Sequence, residues 1–131
     1  LKAISHTGYW AAIGTSAAAE YVASGIDEPQ EVRDFALQFA QSYGRMCQVY
    51  DDVREIDNDL RNGYFSLPIS IALERGYDLS VHSDRMEAIA RPKAIAEQSF
   101  RDICALCGSR WPALLRLADR MHEVGRHLSP A

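Results

Sequence analysis

The longest regular signal in the chain is a set of apolar side chains that return every three or four positions: Val32, Phe35, Ala36, Phe39, Tyr43, Met46, Cys47 and Tyr50. Such spacing places them on one stripe of an amphipathic helix. Asp27 and Pro29 lead into the stripe, and Pro29 suits a first helical turn, where its missing N–H costs nothing. Helix is therefore expected from there to about Glu55. Upstream, residues 8 to 24 (GYWAAIGTSAAAEYVAS) are Ala-rich and free of proline, and they stop at Gly25, which predicts a separate helix closed by a C′ glycine. Downstream, NDLRNGYFSLP predicts a connection, with Asn62-Gly63 as its turn signal. Pro68 opens a short helix through ISIALERG that ends at Gly76. Residues 84 to 107 predict helix with a break before Pro92, because proline disfavours helical geometry in the residue ahead of it. Pro112 opens a final helix, ALLRLADRMHEVGRHL. No stretch alternates as a half-buried strand does. The expected class is all-α, as a single domain or half-domain over residues 1–131.

Length and composition fit that picture without refining it. A chain of 131 residues, 47% hydrophobic and 24% charged, is large enough for one core. A net charge of −4 argues against a broadly basic surface and so against nucleic acid as a partner. The charge is local: Asp51, Asp52, Glu55, Asp57 and Asp59, with only Arg54 among them, sum to −4, which leaves the remainder neutral. Three cysteines do not make a secreted disulfide framework, no apolar run is long enough for a transmembrane segment, and no signal peptide opens the chain. Together these point to a cytoplasmic protein. The chain opens on Leu1 within what reads as an element, which suggests a fragment of a longer protein.

The acidic run is where chemistry is most concentrated. Asp51 and Glu55 are four residues apart on a helix, Asp52 lies between them in azimuth, and Gln48 shares the arc one turn earlier. Carboxylates crowded there repel one another and oppose the negative end of the helix dipole. A hard divalent cation such as Mg²⁺, which takes oxygen ligands and substrate phosphates, relieves both effects. The plainer alternative is a solvated helix end in which Arg54 pairs with Asp51 and Asp57. The D-D-x-x-E spacing by itself leaves both open.

Taken with its surroundings, FAQSYGRMCQVYDDVREIDNDLRNGYFSLPISIAL resembles the second aspartate-rich region of trans-prenyl (polyprenyl) diphosphate synthases. Gln48, Asp51, Asp52, the Asp59-Leu60 pair, Gly63 and Ser66-Leu67-Pro68 stand in the order of that motif. HTGYW resembles the family's K-T-G before an Ala-rich helix, and ALLRLADRMHEVGRH resembles its closing helix. The resemblance implies the C-terminal portion of an isoprenoid-synthase-type bundle, with its first aspartate-rich motif on a missing half or on another subunit. It further implies a prenyltransferase that ionises an allylic isoprenoid diphosphate, with Mg²⁺ held by Asp51, Asp52 and Glu55. Thr7 and Gln48 would act near the reacting carbons, and His6 would join them in holding substrate. The chain departs from the pattern at His6 and Tyr64, where the family carries lysines, and at Glu55, where it carries aspartate. Chain elongation with isopentenyl diphosphate is the leading expectation. Transfer of one prenyl diphosphate to a non-isoprenoid acceptor, its cyclisation, and a non-catalytic subunit that regulates an active partner are the alternatives. A homo-oligomer, or pairing with the missing half, is expected.

The remaining candidates read as structure. Cys104 and Cys107 form a C-x-x-C without a second ligand pair, and suit apolar helix positions. His122 and His127 are too far apart in register to share a metal. Tyr9, Trp10 and Tyr21 suit a core, with a prenyl pocket as the alternative; the small residues 11 to 19 allow either close helix packing or an apolar channel.

Overall fold

The computed structural model describes residues 30–128, and in them the all-α expectation holds. Five helices follow one another: α1 (Gln30–Arg54), α2 (Ile56–Asn62), α3 (Leu67–Arg75), α4 (His82–Cys107) and α5 (Pro112–Arg126). There is no strand among the described residues. The Ala-rich helix of residues 8–24, with His6, Thr7, Tyr9, Trp10 and Tyr21, lies outside them.

The apolar stripe does what its period requires. α1 and α4 pack along their lengths around Phe39, Met46, Val49, Tyr50, Ala96, Ile103 and Cys107, and α5 adds Ala118. A ladder of rings extends this core to one end, with Phe35 stacked on Trp111 at 4.9 Å between centroids and Phe39 on Tyr43 at 5.7 Å. A second cluster, Val53, Ile56, Ile69, Ala72, Leu79, Ala88 and Ile89, joins the end of α1 to α2, α3 and the start of α4. Cys107 is buried and Cys104 half-buried, both as free thiols, which suits the apolar reading of the C-x-x-C.

Two expectations about local structure are corrected. Residues 58–62, expected in a connection, are helical. The backbone ladder runs through the turn at Glu55, from Glu55 N–H to Asp51 C=O (2.9 Å) and from Asp59 N–H to Glu55 C=O (2.8 Å). The Asn62-Gly63 signal instead closes α2: Gly63 takes the left-handed conformation (φ 68°), and Tyr64 N–H returns to Asp59 C=O. The second correction is at Pro92, where α4 continues from His82 to Cys107 without a break. An interior proline costs about 3 kcal/mol in an isolated helix. Here its ring is almost wholly buried, so packing and the long interface with α1 offset that cost.

α5 reaches the core through Ala118, His122 and Gly125, one helical face. Gly125 is there because of Tyr50: a Cβ on it would overlap the Tyr50 ring. Close approach of α5 to α1 at this level therefore excludes any side chain.

Candidate functional site

The last turns of α1, then α2 and the α2–α3 connection enclose an open cleft of about 530 Å³. Helical spacing carried through Glu55 brings Asp51, Asp52, Glu55 and Asp59 to its walls, with Gln48 and Ser66 also lining it. Tyr64 and Phe65 line it too and are largely exposed, at 62% and 66%. Gln48, Asp51, Asp52 and Glu55 are thus brought together as the sequence suggested. His6 and Thr7 lie outside the described residues.

These carboxylates differ in their surroundings. Asp52 is buried, and it accepts hydrogen bonds from Gln48 Nε2 (2.5 Å) and from the backbone N–H of Leu67 (3.2 Å). It thereby caps the first turn of α3 from another helix. Ser66 stands at the N-cap position of α3, yet its hydroxyl makes no capping bond. Asp51 and Glu55 are half-buried and share the Arg54 guanidinium, which bonds Asp51 Oδ1 and, through Nε, Glu55 Oε1 at 3.2 Å. Asp57 points elsewhere and pairs with Arg85 of α4, so the expected Arg54–Asp57 pair is not formed.

The cleft is electrostatically strained. Burial pushes the Asp52 carboxyl up from its ordinary range against its two hydrogen bonds, and the charges of Asp59 and Asp51 add to the rise. Asp59 is raised as well, by burial and then by Glu55 and Asp51. Asp57 is held low by its hydrogen bond from Arg85. Two polar atoms of the cleft are also buried without a hydrogen-bond partner: Gln48 Oε1 and Ser66 Oγ, on residues 5% and 2% exposed. Each such atom costs about 1–3 kcal/mol. Among the described residues, no group of three His, Cys, Asp or Glu side chains forms a ready cage for a metal ion. The donor set nonetheless suits Mg²⁺, which keeps most of its waters and takes one or two carboxylates together with substrate phosphate. An acceptor such as Gln48 Oε1 meets the outward-pointing protons of such waters.

Comparison with family models, with curated proteins and with solved structures finds no match for this chain.

Sequence reasoning missed Asp59 and Ser66 as members of the cleft. Asp59 continues the Asp51–Glu55 spacing by a further four residues, a signal that assigning a connection from residue 58 obscured.

A second polar cluster lies across α1. Tyr50 Oη is 2.8 Å from His122 Nδ1, and His122 Nε2 is 3.6 Å from Glu97 Oε1. Phe100 stacks on the imidazole at 4.0 Å. His127 is exposed and pairs with Glu123 instead, so the two histidines share no site.

Proposed function

We propose that the cleft holds a divalent cation against a diphosphate, and that the protein is a Mg²⁺-dependent prenyltransferase acting on an allylic isoprenoid diphosphate. The observation that carries this is the coincidence, in one cleft, of four mutually repelling carboxylates with the buried, unpartnered oxygen of Gln48. A helix end that was only solvated would not bury an orphan acceptor beneath its acids. The resemblance of residues 48–68 to the second aspartate-rich region supplies the substrate class. Asp51 and Glu55, facing the open side, are the direct ligands. Asp52 fixes Gln48 and the start of α3, so that the wall of the cleft does not move. When bound, the cation neutralises a departing diphosphate and lowers the barrier to allylic carbon–oxygen cleavage. His6 and Thr7 belong to the proposal by resemblance, as substrate contacts.

One observation favours a single prenyl diphosphate with a non-isoprenoid acceptor over chain elongation. Among the described residues that line the cleft, Arg54 is the sole cation. Two diphosphates would bring charge that this wall does not balance.

Calorimetric titration with inorganic diphosphate tests the metal-dependent site. Binding is expected with Mg²⁺ and not with a chelator, and Asp51→Asn with Glu55→Gln should weaken it at least ~10-fold, the loss of a charge-assisted contact. Equal heats with and without the metal overturn the assignment. Turnover with isopentenyl diphosphate as sole acceptor, giving a longer all-trans product, would overturn the single-diphosphate alternative.

A further inference from the structure

Arg54 occupies an unusual position in the cleft. It lies between the two outward carboxylates in sequence, bonds both, and is itself 61% exposed. An exposed ion pair is worth only about 0–1 kcal/mol, so this guanidinium is held weakly and can be exchanged. Resting on the reading of the cleft as a cation and diphosphate site, we propose that Arg54 is an exchangeable counter-ion: it neutralises Asp51 and Glu55 until a divalent cation takes them, and is then released to pair with the diphosphate.

Charge and chemistry both favour the exchange. Asp51, Asp52, Glu55 and Asp59 place four carboxylates around a single guanidinium. A divalent ion satisfies Asp51 and Glu55 better than one delocalised charge does, and its bound waters offer protons to Gln48 Oε1, which Arg54 leaves unpartnered. The Ser66 hydroxyl is also spare, because Asp52 and not Ser66 bonds the Leu67 N–H at the start of α3. Once displaced, the guanidinium keeps its planar fork of donors, which matches phosphate oxygens in a bidentate fashion. It stays tethered at the rim, beside the anion that bridges to the metal. The same side chain thus competes with the metal and assists the anion.

Those two roles give opposite signs in one variant. In Arg54→Gln, Mg²⁺ binding measured alone by calorimetry should tighten about two- to fivefold, the worth of an exposed pair. Binding of inorganic diphosphate at saturating Mg²⁺ should weaken about tenfold, as expected for loss of a charge-assisted hydrogen bond. Arg54→Lys should keep the competition with the metal and recover only part of the diphosphate affinity, since a lysine has no fork. Arg54 is exposed and outside both core clusters, so the fold should persist, and circular dichroism checks it. Changes of the same sign, or no change, in Arg54→Gln overturn the exchange while the metal site stands. Failure of the unaltered protein to bind Mg²⁺ overturns both.

Discussion

Gln48 and Tyr50 are two residues apart on α1 and face opposite fates. Tyr50 and His122 bond each other across 72 residues of sequence, with Glu97 nearby and Phe100 stacked on the ring, and the cluster closes on itself within the core. Gln48 is as deeply buried, yet its carbonyl oxygen has no partner, and the carboxylates around it raise one another. Both clusters are polar, and both are built on one helix. The difference is satisfaction: buried polar groups that bond each other specify packing, whereas groups that are buried, strained and open to a cleft are arranged for something that arrives. The first cluster locks α5 onto α1 and α4. The second is the candidate site.

If that contrast is right, substitutions should separate stability from binding. The largest loss is expected at Gly125→Ala, where the new Cβ overlaps the Tyr50 ring; overpacking of this kind costs about 1–3 kcal/mol or more. Chemical denaturation should show the loss, and Mg²⁺ affinity of the folded fraction should not change. Asp52→Ala comes next, at about 1.5–3 kcal/mol, because it strips a charged acceptor from the Leu67 N–H and from Gln48. A loss that large would mark Asp52 as the structural member of the acidic set. Asp51→Asn should change stability by less than about 0.5 kcal/mol, as an exposed pair allows, while cutting metal binding.

The acidity of the cleft gives a further distinction. Asp52 carries a raised carboxyl in the folded state, so its contribution to stability is greatest below the ordinary carboxylate range and is lost as pH rises through the raised value. Asp57, held low by Arg85, works in the opposite sense: its contribution is present above the ordinary range and is lost as pH falls. Asp52→Asn should therefore gain on the unaltered protein as pH rises from about 4 toward 7, in urea titrations at fixed ionic strength. A difference that stays constant with pH would mean that Asp52 is not strained.

Much of the scaffold was legible because its signals are local. Pro68 and Pro112 mark helix starts, and Gly63 and Gly76 close helices in the left-handed conformation. Pro92 misled because the property that rescues it, burial against neighbouring helices, has no local signature. The cleft was half legible: the Gln48–Asp51–Asp52–Glu55 arc follows from helical period, whereas Asp59 was hidden by reading a glycine turn too far upstream. Division of the acids between the cleft and Arg85, 28 residues beyond Asp57, could not be read from spacing. Nor could the Tyr50–His122 pair, since only the path of α5 creates it.

The central claim is that cations gather at the Gln48–Glu55 cleft and not elsewhere on this acidic protein. Paramagnetic broadening by Mn²⁺, read from amide signals at substoichiometric metal, locates the ion directly. Broadening should centre on Asp51, Glu55, Asp59 and Ser66, spare the outer turns of α5 near Glu123, and vanish in Asp51→Asn with Glu55→Gln. Broadening that centres on another acidic stretch, or that persists unchanged in the double variant, would contradict the account.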